Sequence, residues 1–189
     1  RIYGSVTGEG LGMERICVQA STQLCGPFMD GSGYTDANGD YSFIVPIDTA
    51  LYLYANADCN DEINYLSQYW TYSGSDYACD QASAIVISEV GTDTNINFHL
   101  PRGSTLSGQV LDHEDNPIEG LWVHAFDRAC GGNGLGGDYT DSNGEYTILG
   151  IPPGDVVVQT CPSCAEKMYT GYWWTSSGSP GSFYCNDAQ

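Results

Sequence analysis

The chain has 189 residues, which is enough for one or two domains of ordinary size. Five Lys and Arg residues stand against 24 Asp and Glu, and the formal net charge of −19 repels phosphate backbones and anionic lipid headgroups. This charge, together with the lack of any apolar run near the roughly 20 residues of a membrane span, predicts no nucleic-acid partner and no membrane insertion.

The eight cysteines indicate the compartment. Their even number, in a chain rich in Gly and turns, predicts disulfides and an oxidising, extracellular location. The sequence starts at Arg1 without an initiator Met or a signal-like hydrophobic region, which is typical of a mature or excerpted chain. The cysteines are Cys17, Cys25, Cys59, Cys79, Cys130, Cys161, Cys164 and Cys185.

Taken in chain order, short segments with a two-residue hydrophobic period are separated by Gly, Pro and Asn turns. In residues 51–55 (LYLYA) three apolar residues face one way and two tyrosines face the other. Residues 95–100 (NINFHL) alternate in the same manner, and residues 154–160 (GDVVVQT) contain a β-branched run typical of a strand covered on both faces. These patterns predict an all-β protein.

An internal repeat organises these strands. YTDANGDY begins at residue 34 and returns as YTDSNGEY at residue 139, and IYGSV and QYWTYSG return as LSGQV and YWWTSSG. The boundary lies at LPRGS, so we expect two tandem β-sandwiches, 1–101 and 102–189. The other matched pairs include Val18/Val123, Ala20/Ala125, Cys25/Cys130, Gly31/Gly136 and Cys59/Cys164.

Two stretches of the second repeat carry a resemblance to a known family. SGQVLDHEDNPIEGLWVHAFD and TDSNGEYTILGIPPGDVVVQ contain G-x-V, P-x-x-G-x-x-V, T-D-x-x-G-x-Y and a Pro-Gly turn. Residues 104–160 thereby resemble the carboxypeptidase regulatory-like repeats, which are close to Cna protein B-type domains, and residues 2–55 follow the pattern more weakly. The resemblance implies immunoglobulin-like, transthyretin-like sandwiches that serve as structural or accessory modules of secreted proteins.

The two acidic loops favour turns over cation sites. The first Asp of each loop can accept hydrogen bonds from backbone N–H groups ahead, and each Asn-Gly pair suits a tight turn with positive φ. An EF-hand loop would need Gly at its sixth position, where Tyr41 stands. No cofactor is therefore expected, and calcium remains the alternative. Its candidate ligands are Asp36, Asn38, Asp40, Asp141 and Asn143, with a further acidic loop at Asp112, Glu114 and Asp115.

The repeat register also suggests how the cysteines pair. The most economical pairing makes Cys59–Cys79 and Cys164–Cys185 the bond that both repeats share. Cys17–Cys25 and Cys130–Cys161 then follow as variants. The C-x-x-C at 161–164 alone is weak evidence for a redox or zinc site, because Cys164 has a counterpart in the first repeat.

Aromatic clusters recur in YLSQYW and MYTGYWW. Tyr and Trp rings can stack on sugars or on protein partners, but recurrence at one repeat position favours packing within the sandwich. Trp173 and Trp174 are the exception, because adjacent strand residues face opposite ways and one of the two should meet solvent or a partner. The candidate interface residues are Tyr69, Trp70, Tyr169, Tyr172, Trp173 and Trp174.

No pattern of catalytic residues emerges from the sequence. His99, His113 and His124 lack metal-ligand spacing, and no nucleophile elbow, zinc-protease or phosphate-loop motif occurs. We therefore predict no catalytic residue and expect that the chain is not an enzyme.

The two repeats end differently. After Cys79 the first repeat continues through ASAIVIS and TNINFHL, whereas only NDAQ follows Cys185 in the second. If both repeats share a fold, the second is expected to lack about two strands and to present open sheet edges. Three explanations stay open: a longer chain, completion by another subunit through strand donation, or a smaller disulfide-stabilised sandwich.

These expectations lead to a non-enzymatic, extracellular structural protein that self-associates head to tail into a surface filament or pilus-like fibre. Two alternatives are a carbohydrate-binding or adhesive module that uses the aromatic clusters and an accessory domain of a larger secreted enzyme.

Overall fold

A computed structural model describes residues 1–28, 31–60, 62–165, 168–175, 182 and 184. The chain divides into two units, Arg1–Arg102 (unit 1) and Gly103–Gln189 (unit 2), with the boundary one residue after the expected one. The regular elements of both units are β-strands and short 3-10 turns. The predicted all-β class is confirmed.

Unit 1 is a sandwich of two sheets. Its strands are β1 (Ile2–Gly8), β2 (Leu11–Gly12), β3 (Cys17–Ser21), β4 (Gly31–Tyr34), β5 (Asp40–Phe43), β6 (Ala50–Asn56), β7 (Gln68–Thr71), β8 (Gly74–Asp76), β9 (Ile85–Val86), β10 (Thr94–Asn95) and β11 (Phe98–Leu100), with 3-10 turns at Ala57–Cys59 and Cys79–Gln81. One sheet is centred on β1, which pairs with β2, β5, β10 and β11. The other has the order β4-β3-β6-β7-β8, and β9 also pairs with β6.

Alternating side chains of both sheets meet in the core of unit 1. The two period-two predictions are confirmed, since the inward residues of 51–55 and of 95–100 are buried and their neighbours are more exposed. Burying a Leu, Ile or Phe side chain stabilises the unit by about 1.5–3 kcal/mol. The inward residues are Leu51, Leu53, Ala55, Ile96, Phe98 and Leu100.

Unit 2 repeats the frame with fewer described strands. They are β12 (Ser104–Gln109), β13 (Trp122–Phe126), β14 (Gly134–Tyr139), β15 (Glu145–Ile151) and β16 (Val157–Cys161), followed by a 3-10 turn at Pro162–Ala165. One sheet pairs β12 with β15, and the other has the order β14-β13-β16. The strand expected at 154–160 begins only at Val157. Val157 is buried on the face that it shares with Phe126, and Val158 packs against the core on the other face, so both faces are at least partly covered.

The predicted disulfide pairing of unit 1 is wrong. Cys17 bonds to Cys59 and Cys25 bonds to Cys79, so neither Cys59–Cys79 nor Cys17–Cys25 forms. The sheet register gives the reason, because Cys17 lies opposite Asn56 at the end of β6. The 3-10 turn that follows β6 brings Cys59 back beside Cys17.

The pairing predicted for unit 2 is also wrong. Cys161 bonds to Cys164, which excludes Cys130–Cys161 and Cys164–Cys185. Trp122 stands at the repeat position of Cys17, and Cys161 lies opposite it in the register. The cysteine that bonds to Cys164 in the 3-10 turn therefore lies in β16 and not in β13. Cys130 is disulfide-bonded as well, and Cys185 lies outside the described residues.

Candidate functional site

The main difference between the units is what lies beside their first strands. β1 pairs with β5 and β2 along one edge, and with the parallel strands β10 and β11 along the other. β12 is its counterpart, and among the described residues it pairs only with β15, followed by a bridge between Leu111 and Pro117. The side of β12 that corresponds to the β10–β11 side of β1 is the candidate functional site, and we call it the β12 edge.

Backbone hydrogen bonds identify the groups that face the β12 edge. The Val110 N–H donates to the Gly144 carbonyl at 2.8 Å, on the side of β15. Because neighbouring residues of a strand direct their N–H and C=O groups to opposite sides, Ser107 and Gln109 direct theirs to the β12 edge. The Gln109 side chain bonds to the Asn143 carbonyl at 2.8 Å, in the acidic loop.

In unit 1 the added strands bond to groups of the corresponding residues, Tyr3 and Ser5. The Tyr3 carbonyl accepts a hydrogen bond from the Ile96 N–H at 2.8 Å, and the Ser5 N–H donates to the Asn97 side chain at 2.9 Å. Residues 94–100 thus satisfy polar groups as well as supplying apolar side chains.

A glycine in each first strand marks where the added strand crosses. A Cβ built on Gly4 would lie 1.8 Å from the Ile96 carbonyl oxygen, so only glycine admits this approach. The Tyr41 hydroxyl donates to the same carbonyl at 2.7 Å. On Gly108, the counterpart of Gly4, the nearest atom to a built Cβ is the Tyr146 hydroxyl oxygen at 2.6 Å. Tyr146 therefore lies over Gly108, whereas in unit 1 Ile96 covers the corresponding Gly4.

Apolar residues next to the β12 edge are less buried than their counterparts. Ile2 and Val6 are completely buried in unit 1, whereas Leu106 and Val110 are only partly buried. Tyr41 is buried and Tyr146 is half-buried. Unit 2 therefore has an apolar face that a further strand would cover.

Burial raises the pKa of the inward tyrosine in each unit. Desolvation raises the pKa of the Tyr41 hydroxyl and also that of Tyr146. Both hydroxyls therefore stay protonated at physiological pH and are available as hydrogen-bond donors.

The two acidic loops have the turn geometry that the sequence predicts. Asp36 Oδ1 accepts from the backbone N–H groups of Asn38 and Asp40 at 2.8 and 3.0 Å. Asp141 Oδ1 accepts in the same way from Asn143 and Glu145, at 2.8 and 2.9 Å.

The third acidic loop is another such turn. Asp112 Oδ1 accepts from the N–H groups of Glu114 and Asn116 at 2.8 and 2.9 Å, and bonds to the Asn116 backbone and side chain hold its pKa below the usual range. Asp115 follows with positive φ. No group of three His, Cys, Asp or Glu among the described residues could hold a metal ion, and calcium binding stays a prediction.

The predicted interface aromatics fall in different environments. In unit 1, Trp70 packs against the core, and the Tyr69 ring lies tilted beside Tyr54 with ring centroids 4.5 Å apart. In unit 2, Trp174 is 55% exposed and Tyr169 is 51% exposed. Tyr172 and Trp173 are partly buried in a segment whose backbone bonds to β16. Whether any of them binds a partner stays a prediction.

A row of aromatic rings on the outer face of the β14-β13-β16 sheet was not predicted. The alternation in β13 buries Val123 and Ala125 and turns three ring-bearing residues outward. Neighbouring centroids in the row are 4.6, 5.3, 5.1 and 5.5 Å apart. The signal was present in LWVHAF, where every second residue carries a ring. We call the row the aromatic stripe; its members are Tyr139, Trp122, His124, Phe126 and Trp173.

The three histidines lie apart from one another in the fold. His99 bonds to Thr7 at 2.6 Å in the first sheet, His124 belongs to the aromatic stripe, and His113 is an exposed loop residue near Glu114. The described residues also include no helix whose length and apolar character would suit a bilayer crossing.

Comparison with known proteins gives only distant matches. No protein-family model and no curated protein sequence matches the chain, so the family resemblance stays a prediction. The solved structures that align with it include the Bacillus anthracis TIE protein, a streptococcal ancillary pilin and the shaft pilin SpaA from Lactobacillus rhamnosus GG.

The alignments cover most of this chain at low similarity. The TIE protein shares 12% identity over 85% of this chain with a TM-score of 0.32, and the ancillary pilin shares 8% over 84% with a TM-score of 0.36. The chain spans 27% of the first protein and 51% of the second. SpaA shares 8% identity over 84% of this chain and 85% of its own, again with a TM-score of 0.36. TM-scores this low do not support a fold assignment, so the all-β class is assigned from the strands of the two units alone.

Proposed function

We propose that this chain is a non-enzymatic structural subunit of an extracellular fibre, in which unit 2 of one molecule is completed by contact with the next. The observation that supports this is the β12 edge, whose counterpart in unit 1 is covered by residues 94–100. A strand edge flanked by half-buried apolar residues is a template for pairing with another chain.

The symmetry of such a contact leads to a fibre. The β12 edge of unit 2 has no equivalent on unit 1, where β1 is paired on both sides. A contact between unlike surfaces is heterologous, and it propagates into a filament unless the rotation between subunits closes a ring. The disulfides of both units suit an extracellular fibre, because they persist in oxidising surroundings.

Because the net charge is −19, assembly of the proposed fibre should depend on the salt concentration. Like-charged subunits repel, and this repulsion is screened over roughly 8–10 Å at physiological ionic strength. Assembly should therefore increase with ionic strength, whereas an assembly held by attraction between opposite charges would weaken.

Sedimentation velocity and negative-stain electron microscopy of the oxidised full chain, over a range of protein and salt concentrations, test the proposal. We expect polymers that lengthen with protein concentration and with salt. Gln109→Pro removes an N–H that faces the β12 edge and should shorten them. Ser73→Pro, at an exposed turn of unit 1, is the matched control and should leave assembly unchanged. Monomers at every concentration would overturn the proposal.

A second candidate function is carbohydrate binding, and the aromatic stripe is the observation that favours it. Trp and Tyr rings bind the apolar faces of sugars, and the stripe lies beside the polar side chain of Gln159. Glycan-array binding that is lost in Trp122→Ala but kept in Trp70→Ala would support it. No binding by the wild-type chain would reject it.

A further inference from the structure

The outer face of the first sheet of unit 1 carries a shallow groove of about 650 Å³, a volume within the range of small-ligand sites. It lies on the side of β1, β5 and residues 94–97 that points away from the core, because these segments direct alternate residues inward and outward. We call it the polar groove; the residues that line it include Tyr3, Tyr34, Asp40, Ser42, Asn95 and Asn97.

The sheet register sets the polar side chains of the groove side by side. Ser42 and Asn95 lie on either side of Tyr3. Asp40 lies opposite Ser5 in the next outward row. Neighbouring strands are about 4.8 Å apart, and alternate residues of one strand are about 7 Å apart. Hydroxyl, amide and carboxylate groups therefore stand within reach of one ring-shaped ligand.

Hydrogen bonds within the sheet orient the amides of the groove. Asn97 Oδ1 accepts from the Ser5 N–H at 2.9 Å and from the Ser5 hydroxyl at 3.3 Å. Asn97 Nδ2 donates to Asn95 Oδ1 at 3.1 Å, which leaves Asn95 Nδ2 without a partner among the described residues. The Asp40 carboxylate and the Ser42 hydroxyl, both exposed, also have no partner in the described part of the chain. The groove thus holds an oriented donor beside acceptors, so a ligand pays little for reordering them.

Two exposed tyrosine rings border these polar groups. Tyr34 is 70% exposed and Tyr3 is 37% exposed. The Arg1 guanidinium lies 5.4 Å from the centroid of the Tyr3 ring and pairs with Asp93 at 2.8 Å, so its charge is already balanced. Exposed rings beside oriented hydrogen-bonding groups suit a ligand that has both apolar C–H faces and hydroxyls.

We propose that the polar groove binds a neutral saccharide. The C–H face of a sugar ring packs on the Tyr3 ring, one sugar hydroxyl accepts a hydrogen bond from Asn95 Nδ2, and other hydroxyls donate to the Asp40 carboxylate. Uronic and sialic acids are disfavoured, because Asp36 and Asp40 line the groove and would repel a further carboxylate. The inference goes beyond the proposed fibre and does not depend on assembly.

Unit 2 has the same frame but not the features of this groove. Ser107 stands at the repeat position of Tyr3, so no ring is present there. The segment that carries Asn95 and Asn97 has no described counterpart beside β12. The proposed site therefore belongs to unit 1, whereas the aromatic stripe belongs to unit 2.

A glycan array that carries neutral hexose oligosaccharides and their uronic-acid counterparts tests the inference on the oxidised full chain. At least one neutral oligosaccharide should bind, and its uronic-acid counterpart should bind at least about tenfold more weakly. Spermidine, which is positively charged and has no hydroxyl, should not compete. Binding of no neutral oligosaccharide, equal binding of the uronic acid, or full competition by spermidine would overturn the inference.

Matched variants locate the bound sugar. Tyr3→Ser, which introduces the residue found at this position of unit 2, should weaken binding of that oligosaccharide about tenfold because the ring is lost. Asp40→Asn keeps the shape of the side chain but removes the charged acceptor, and should also weaken binding about tenfold. Tyr77→Ser, at an exposed tyrosine of unit 1 outside the groove, is the control and should leave the affinity unchanged. Wild-type affinity in both groove variants would mean that the sugar binds elsewhere.

Side-chain amide signals distinguish the polar groove from the aromatic stripe. In a nitrogen-15 NMR titration with the same oligosaccharide, the Asn95 side-chain amide should shift, and that of Gln159, beside the aromatic stripe, should not. A shift at Gln159 with Asn95 unmoved would place the sugar on the stripe and overturn the inference. A chain that binds the sugar but stays monomeric would leave this inference standing and reject the fibre, whereas fibres that bind no neutral sugar would do the reverse.

Discussion

The acidic loops of the two units are built alike, atom for atom, although their surroundings differ. The hydroxyl of a buried threonine in each loop donates to a carbonyl of the chain that follows the first strand, and accepts a backbone N–H at 2.8 Å in unit 1 and 2.9 Å in unit 2. These threonines are Thr35 and Thr140. The loop is local: its bonds are made by residues within a few tens of positions, so each repeat can form it alone.

The cores of the two units differ in burial because they depend on strands that are distant in the sequence. β1 is covered by residues more than 90 positions away, and its inward side chains are completely buried. β12 has the same frame but no such cover among the described residues, and its inward side chains remain partly exposed. The similar sequences thus give both units the same acidic turn. The burial of the inward side chains depends instead on which strands pack beside β1 and β12.

The largest expected difference between the units concerns their disulfides. Removing Cys17–Cys59, which closes a loop with a sequence separation of 42, should lower the free energy of unfolding of unit 1 by about 4 kcal/mol. Removing Cys161–Cys164, with a separation of 3, should lower that of unit 2 by about 1.5 kcal/mol. The pairs are replaced by alanine, and the chain is labelled with 5-fluorotryptophan for fluorine NMR during urea unfolding.

Trp70 lies in unit 1 and the other three tryptophans lie in unit 2, so the resonances report each unit separately. If removing either disulfide lowers the free energy of unfolding by the same amount, loop length does not determine how much each disulfide stabilises its unit.

The next difference concerns equivalent apolar residues. Ile2→Ala should destabilise unit 1 by about 3 kcal/mol, because a completely buried side chain leaves a cavity. Leu106→Ala should destabilise unit 2 by about 1 kcal/mol, since part of that side chain already meets solvent. The same fluorine resonances measure both. A loss at Leu106 as large as that at Ile2 would mean that β12 is covered in solution.

The strands and the acidic turns could be predicted from the sequence because their causes are local. Period-two alternation in 51–55 and 95–100 predicts which side chains are inward, and Asp36 and Asp141 are followed by the Asn-Gly pairs that such turns need. The repeat also predicted that the two units would differ at the position of residues 94–100.

The disulfides and the aromatic stripe could not be predicted, since both depend on which residues face each other across a sheet. Aligning the repeats treats Cys17 as unmatched, but the sheet register places it beside the turn that carries Cys59. In the second repeat Trp122 stands at the position of Cys17, and Cys161 lies opposite it in the sheet. An alignment of the repeats does not show which residues lie opposite each other, so it cannot predict this change of partner. The stripe likewise combines β13 with Trp173, about 50 residues later, and only the folded sheet brings them together.

The glycines of the first strands give a smaller contrast. Gly4→Ala should destabilise unit 1 by about 2 kcal/mol, because the new methyl group would lie 1.8 Å from the backbone oxygen of Ile96 and the crossing strand must shift. Gly108→Ala should change unit 2 by less than about 1 kcal/mol, as only the movable end of the Tyr146 side chain lies in the way. Urea unfolding with the two sets of resonances checks this, and a larger loss at Gly108 would contradict it.

The smallest expected effect appears only at alkaline pH. Burial raises the pKa of Tyr54 to about 12 and also raises that of Tyr41, both in unit 1. A raised pKa means that the folded unit holds the proton more tightly than the unfolded chain, whose tyrosines ionise near pH 10. The contribution is therefore complete below pH 10 and is lost as the pH rises from 10 towards 12.

Each such tyrosine should lower the stability of unit 1 by about 1 kcal/mol at pH 11 relative to pH 8. Urea unfolding followed at the Trp70 resonance at both pH values measures the loss, and Tyr54→Phe should reduce it. Tyr72→Phe, at an exposed position of the same unit, controls for the removal of a hydroxyl and should leave the loss unchanged. In unit 2, Tyr146 is the corresponding inward tyrosine and is only half-buried, so the loss there should be smaller.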